Sequence, residues 1–258
     1  MQRHIDFEGI ENFRDFGGYA GAGGRALKAG RLYRSGYHAH ATDADLARLR
    51  DLGVTAIVDL RRPEERRREP ARRWPGFDAQ VVENDMVSEH HDWLDVLRGL
   101  DEVTPAWFYE DSLAMYRLSP FEARHIDLFR RYFRILADGE GPLVVHCAAG
   151  KDRTGLICAL THHLAGVAHD DMIADYLLTN DEARIERKMG FLGGWMRDQA
   201  GVRASPEALR MAVSVHPDYL QASFKVITDR SGSVDAYLAD VLGVDEAMRE
   251  AICERLLG

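Results

Sequence analysis

The chain has 258 residues, 46% of them hydrophobic and 29% charged, with a formal net charge of -9. That length allows a sizeable core in one domain spanning 1–258, and the acidic balance excludes a surface that as a whole attracts nucleic acid or anionic lipid. Three cysteines make no disulfide framework, no apolar stretch follows a basic start, and no segment reaches transmembrane length, so a soluble, cytoplasmic protein without membrane insertion is expected.

Taken in chain order, residues 16–35 alternate and carry glycine breaks at Gly21, Gly23 and Gly24, which predicts short strands around a turn. Thr42 and Asp45 form a capping box for a helix that ends before Gly53. Residues 54–60 and 79–82 predict buried strands. Between them, residues 61–73 mix arginines with Glu64, Glu65 and Glu69, the pattern of a solvated helix, with a basic rim for polyanions as the alternative. Residues 86–118 are poor in strand signals and rich in aromatics (Trp93, Trp107, Phe108, Tyr109), which fits either a helical insertion or plain helix packing. An amphipathic helix over 121–136 leads into the apolar strand Pro142-Leu143-Val144-Val145, and residues 168–258 predict a helical C-terminal part. Within it, Ser205-Pro206 and His216-Pro217 mark helix starts. Strands alternating with helices predict an α/β fold with a mainly parallel central sheet flanked by helices.

The segment that carries chemistry is His146-Cys147-Ala148-Ala149-Gly150-Lys151-Asp152-Arg153-Thr154-Gly155, a tight loop between the apolar strand and a helix. Backbone N–H groups of Ala148 to Thr154 can converge there at the positive end of a helix dipole, a nest for a tetrahedral oxyanion. Cys147 lies at its floor, where the dipole, the amides and Arg153 favour the thiolate. Arg153 offers a planar fork for two phosphoryl oxygens. Thr154 can donate its hydroxyl to the cysteine sulfur, and His146 points away from Cys147 along the strand toward loop backbone. An ester also needs a proton for its leaving oxygen. Asp152 sits awkwardly beside a thiolate and a phosphate dianion, which makes proton transfer its natural task; Asp85, at the end of a predicted strand, is the competing acid. Asp59 and Arg61 end a buried strand, where one of them can buttress the loop. Arg14 and Asp15 read as a structural pair holding the N-terminal segment against it. Cys158 and Cys253 read as packing residues, with a regulatory disulfide to Cys147 as the alternative. His90-His91 and His162-His163 lack the spacing of two ligands on one helix face, so neither a metal nor a cofactor is expected.

Cys-x5-Arg with the longer string His-Cys-Ala-Ala-Gly-Lys-Asp-Arg-Thr-Gly resembles the atypical bacterial tyrosine and dual-specificity phosphatases that carry an Ala-Gly-Lys-Asp-Arg loop. Asn12-Phe13-Arg14-Asp15, Arg31 to Ser35, Val58 to Arg61, Ala174 to Leu177 with Asn180-Asp181, and Glu207 to Leu220 look like further landmarks of that family. The resemblance implies a cysteine-phosphatase fold with a helical lid, and a phosphocysteine intermediate formed without metal. It implies the loop aspartate as the acid and a lysine, Lys151, at a position that phosphoinositide phosphatases also favour. The expected substrates are phosphotyrosine, and phosphoserine or phosphothreonine, on proteins. Phosphoinositides or inositol phosphates are the alternative, read by Lys151 at the rim. A phosphate-binding module without turnover and a rhodanese-like sulfur transferase are the competing classes.

Overall fold

A computed structural model describes residues 3–87, 96–98, 100 and 102–258. In chain order its main elements are β1 (Arg14–Asp15), β2 (Leu32–Ser35), α1 (Asp43–Asp51), β3 (Ala56–Asp59), α2 (Pro63–Arg68) and β4 (Gln80–Val82). They continue with β5 (Glu102–Val103), α3 (Pro105–Leu118), α4 (Ala123–Asp138), β6 (Leu143–His146), α5 (Asp152–Leu164), α6 (His169–Leu177) and α7 (Glu182–Trp195). The chain closes with β7 (Arg203–Ala204), α8 (Pro206–Val213), α9 (Pro217–Ser231) and α10 (Glu246–Leu256).

The central sheet has the order β1-β2-β6-β3-β4, parallel except for the antiparallel edge pair β1–β2. This is the α/β architecture that the alternation of elements predicts. β6 lies in the middle, buried on both faces, and its side chains alternate between two cores. Leu143 and Val145 join the core under α4, α5 and α9 with Leu32, Ala56 and Val58. Val144 joins the other, with Tyr33, Ile57 and Leu46 and Leu49 of α1. A period of two on a doubly covered strand explains the unbroken apolar run that ends at His146. The register then sets Ser35, His146 and Asp59 side by side at the carboxyl ends of three neighbouring strands, where open α/β sheets place their sites.

α1 starts on the capping box foreseen at Thr42 and Asp45, and α8 and α9 start at Ser205-Pro206 and His216-Pro217. Two expectations need correction. Residues 61–73 are not a solvated helix throughout: α2 is six residues long, and Arg61, Pro63 and Glu65 are buried. Arg14 does not pair with Asp15. Asp15 accepts from the N–H groups of Gly17 at 2.7 Å and Gly30 at 2.5 Å, whereas Arg14 reaches across to Asp175. Of the segment 86–118, residues 88–95, 99 and 101, Trp93 among them, lie outside the described residues. The described remainder holds α3 and the short strand β5, which pairs in parallel with β7. Val103 and Phe108 pack there with Met196, Val202, Ala208 and Ala212 in a third cluster, separate from the two sheet cores. This described part of the segment thus packs in a small unit completed by α7 and α8. No described helix is long and apolar enough to cross a membrane.

A buried ionic cluster ties the N-terminal segment to the rest. Arg34 Nη1 lies 3.0 Å from Asp175 Oδ2 and Arg14 Nε 3.6 Å from Asp175 Oδ1, with all three side chains fully buried. Removing the one carboxylate leaves two buried guanidinium groups facing each other, which costs far more than the intact cluster contributes. Asp175→Asn is expected to lower the unfolding free energy by about 3–5 kcal/mol in a urea titration; a loss below about 1 kcal/mol overturns this account of the cluster.

Candidate active site

The loop between β6 and α5 is shaped from outside. Tyr37 N–H donates to Ala148 O at 3.1 Å. Asn12 Nδ2 donates to Gly150 O at 2.9 Å and to Ala149 O at 3.4 Å, and Arg34 Nη2 to Gly150 O at 3.1 Å and Lys151 O at 3.5 Å. In a trans peptide the C=O and the next N–H point in opposite directions. Carbonyls held outward at 148 to 151 therefore turn the following amides into the loop, and the anion nest results. Gly150 closes the turn at φ +64°, and a Cβ there would stand 2.3 Å from Ser35 O. Asn12 itself takes a positive φ of 55°, a conformation asparagine tolerates better than most residues.

Cys147 is buried at the floor of this nest, at the N-terminus of α5. Arg153, in the first turn of α5, forms a two-pronged pair with Glu65: Nη1 to Oε2 at 2.6 Å and Nη2 to Oε1 at 2.8 Å, while Nη1 also donates to Leu60 O at 3.1 Å. Burial disfavours both charges, but each stabilises the other and outweighs that cost. The Arg153 pKa is raised and the Glu65 carboxyl is held far below the usual carboxylate range. Glu65 was hidden in the sequence by its charged neighbours. Its one local signal is the capping box in which it accepts from Arg62 N–H at 2.6 Å.

Asp152 is the first residue of α5, and its side chain is partly exposed. Tyr116 OH, from α3, donates to its Oδ1 at 3.0 Å, and Tyr176 OH stands 2.6 Å from Tyr116 OH. Each phenol has one proton, so Tyr176 donates to Tyr116 and Tyr116 to Asp152. Both phenols have pKa values pushed well up, first by burial and then by Asp152, so they stay protonated donors. Tyr116 leaves the other carboxylate oxygen of Asp152, Oδ2, unoccupied. Gly155 admits this arrangement, since a Cβ there would lie 2.7 Å from Tyr176 Cε2.

The other predicted residues fall in three groups. His146, Asp59 and Arg61 lie under the loop. His146 Nδ1 is 3.3 Å from Cys147 O and 3.7 Å from Asp59 Oδ1; Asp59 is clamped by Arg61 at 2.7 Å, and the His146 ring stacks on His38 at 4.5 Å. Arg14 acts at one remove. Its Nη1 donates to Asn12 Oδ1 at 2.6 Å and its Nη2 to Asp175 O at 3.0 Å, so it orients the asparagine that holds Gly150. Two roles are corrected and one residue stands apart. The Thr154 hydroxyl is buried without a hydrogen-bond partner among the described residues and makes no bond to the cysteine sulfur. Lys151 is not a free charge at the rim: it is buried, and its Nζ donates to Ala212 O at 2.7 Å and Ser214 O at 3.2 Å at the end of α8. Asp85 is exposed and bound to Arg66 Nη2 at 2.6 Å, with no hydrogen bond to the loop among the described residues. Cys158 is buried in α5 with a thiol pKa pushed up by burial to about 12, as a packing residue's is, and Cys253 is half-buried; all three cysteines are free thiols.

A buried thiol on an inward-facing amide nest, with an arginine fork held ready by a carboxylate, defines the cysteine-dependent phosphatases. The sequence comparisons agree. The chain belongs to the tyrosine phosphatase family, whose model matches residues 5–258. A protein of Cupriavidus necator that carries the name tyrosine-protein phosphatase is 40% identical over 250 residues, covering 95% of this chain and 86% of its own. The triple specificity protein phosphatase PtpB of Mycobacterium tuberculosis is 28% identical over 284 residues, covering 98% and 99% of the two chains. Among solved structures, P. aeruginosa TpbA covers 76% of this chain and 96% of its own at 19% identity and a TM-score of 0.33, too low to add to the assignment.

Two outcomes follow from the geometry. Without Glu65 the Arg153 fork loses its orientation, and misplacement on the scale of an ångström costs on the order of 100-fold. Glu65→Gln is expected to lower kcat on an aryl phosphate by about 10- to 100-fold, whereas Glu64→Gln, at an exposed carboxylate paired with Arg62, changes it less than about twofold; equal effects overturn the assignment.

The second outcome concerns pH. His146 is held to a pKa of about 4, against an ordinary 6.5, chiefly by burial, and His38, His125 and His162 are lowered in the same direction and for the same first cause. A depressed histidine stays neutral in the folded state while the unfolded chain takes up a proton, so stability rises with pH between the two values. Stability is expected to be full above about pH 7 and to fall as the pH drops toward 4, by on the order of 3 kcal/mol for His146 alone. Asp15, raised by burial, works in the opposite sense. Unfolding midpoints in urea that stay level or rise between pH 7 and 4.5 contradict neutral buried histidines.

Proposed function

We propose that this tyrosine phosphatase works through a phosphocysteine at Cys147, with Asp152 as proton donor and then proton acceptor. The Cys147 sulfur attacks phosphorus while the loop amides and the Arg153 fork hold the three equatorial oxygens. The P–O bond to the leaving alcohol or phenol breaks, its electron pair stays on that oxygen, and the Asp152 Oδ2 proton moves to it. A water then gives a proton back to Asp152 and attacks phosphorus, and the P–S bond breaks to return the thiolate and release inorganic phosphate. Tyr116 positions Asp152 by occupying Oδ1. The observation that carries this reading is the tethering of the loop carbonyls by Asn12 and Arg34, because it aims the amides at the position the phosphoryl group must take.

The substrates are phosphorylated proteins, phosphotyrosine first, with phosphoserine and phosphothreonine in keeping with the triple specificity named for the mycobacterial relative. Phosphoinositides become the weaker reading, because the loop lysine that was to recognise a second phosphate is engaged by Ala212 and Ser214 carbonyls. No step uses a metal or a cofactor.

Cys147→Ser is expected to abolish hydrolysis of an aryl phosphate, with excess chelator leaving the wild type unaffected. Asp152→Asn is expected to lower kcat by about 100-fold or more, and Asp85→Asn to change it less than about twofold. Turnover that survives in Cys147→Ser, or that is lost in Asp85→Asn and kept in Asp152→Asn, overturns the assignment.

A further inference from the structure

Arg184, on α7, is a buried cation whose hydrogen bonds leave part of its guanidinium unused. Arg34, which holds the loop, also has an Nε unpartnered among the described residues, but unlike Arg184 it is paired with a carboxylate, Asp175. Arg184 is 3% exposed. Its Nη1 donates to Thr179 O at 3.2 Å and to Val213 O at 3.1 Å. Its Nε is buried and, among the described residues, unpartnered, and its Nη2 has no hydrogen bond to a described residue. Nε–H and one N–H of Nη2 lie side by side along one edge of the guanidinium plane, the edge that receives a carboxylate or phosphate with two parallel bonds. No carboxylate pairs with Arg184 among the described residues. A buried guanidinium bonded only to two carbonyls has its charge compensated only in part, and such a group is costly unless an anion joins it.

The place of the Arg184 side chain follows from its neighbours. Val213 O, which holds Arg184, lies between the carbonyls of Ala212 and Ser214, which hold Lys151 of the loop. The C-terminal turn of α8 thus gathers one cation from the nucleophile's loop and one from α7. One helical turn along the same face of α7, Lys188 Nζ pairs with Glu11 Oε2 at 2.7 Å, beside the Asn12 that holds Gly150. The face of α7 carrying Arg184 and Lys188 therefore reaches, at Val213 and at Glu11, two segments that each bond to the loop through a neighbouring residue. The charge environment agrees: burial lowers the Arg184 pKa, and Glu11, Asp152 and Cys147 oppose that shift.

We propose that the free edge of Arg184 forms a second anion subsite beside the phosphoryl pocket, selecting phosphomonoesters whose leaving group bears another anionic substituent. The inference rests on the phosphatase reading above and narrows it. Lys151, already spent on two carbonyls, supplies background positive charge, while Arg184 makes the bonds. A carboxylate and a second phosphate present the same paired oxygens, and the assay separates the two.

The test measures kcat/KM for phenyl phosphate, for the size-matched pair 3-carboxyphenyl and 3-carbamoylphenyl phosphate, for the corresponding 2-substituted pair, and for 1,3-phenylene bisphosphate. Wild type is expected to favour an anionic member over its neutral isostere by about tenfold, the worth of one charge-assisted pair of bonds. A preference for the carboxylates assigns the subsite to an acidic group, and one for the bisphosphate alone assigns it to a second phosphate. In Arg184→Gln the ratio is expected to fall to about one. Loss of fold scales both members of a pair alike, so the ratio reads through it. Where too little Arg184→Gln is folded to assay, Arg184→Lys, which keeps the charge without the paired edge, is expected to reduce the ratio at least about threefold. A wild-type ratio near one on every pair with no advantage for the bisphosphate, or a ratio unchanged in the variants, overturns the subsite. No turnover of phenyl phosphate overturns the phosphatase reading instead, so the two failures are distinct.

Discussion

The site depends on one constraint: the carbonyls of residues 148 to 151 must face away from the phosphoryl position. A short loop does not achieve this by its own hydrogen bonds, because each carbonyl needs a donor outside the loop. Asn12, Arg34 and the Tyr37 amide supply those donors from the N-terminal segment and from the end of β2. Arg34 is itself fixed by Asp175 of α6, and Asn12 by Arg14, which Asp175 also holds. The Asp175 carboxylate, distant in sequence and touching no reacting atom, thus underwrites the direction of the amides at the nucleophile. Such a network costs desolvation energy, and what it provides is a loop that needs no reorganisation when charge arrives.

The same principle distributes positive charge around the loop of a chain whose formal net charge is -9. Arg153 is paired with Glu65, which orients its fork and leaves the complex of the two nearly neutral until a dianion joins. Lys151, whose Nζ also stands 3.6 Å from Asp152 Oδ1, and Arg184 both lean on carbonyl dipoles at the end of α8, which offset a cation only in part. The attraction for phosphate is therefore local and graded. It is strongest where the paired arginine and the amides meet, and it extends toward α7 through a guanidinium with an unfilled edge.

The parts of this site that the sequence made legible are those whose residues are neighbours in the chain. Cys147, Asp152 and Arg153 fall within seven positions, and the apolar run ahead of them and the helical pattern behind them mark the loop between strand and helix, though not the distant donors that aim its amides. The cores were equally readable, because a buried strand such as Leu143–His146 has to be apolar on both faces. What stayed hidden was every residue whose meaning is a partner. Arg153 and Glu65 are 88 positions apart, Arg34 and Asp175 141, and Arg184 and Val213 29. Glu65 and Arg184 sit amid ordinary helical charges, and nothing in spacing or composition separates a buried member from its exposed neighbours. β5 and β7, two residues each, are too short to show a period. Lys151 was misread for the related reason that its carbonyl partners are backbone groups of any sequence.

Placing the acid on the loop itself changes what the rest of the fold has to do. When nucleophile, phosphate grip and proton donor share one strand-to-helix turn, their mutual distances are set by the first turn of α5 and need no separate segment to close. The remaining freedom is the orientation of one carboxylate, and Tyr116 with Tyr176 removes it by holding Oδ1. Both phenols are buried and belong to different helices, α3 and α6, so packing in the large core fixes the orientation of the Asp152 carboxylate. Gly155 is then required for a reason beyond turn geometry, since any side chain there would displace the Tyr176 ring and, through Tyr116, the acid. The glycine at the end of the motif and the tyrosines outside it act as one unit, and the chemistry of the loop extends as far as the packing that holds those rings.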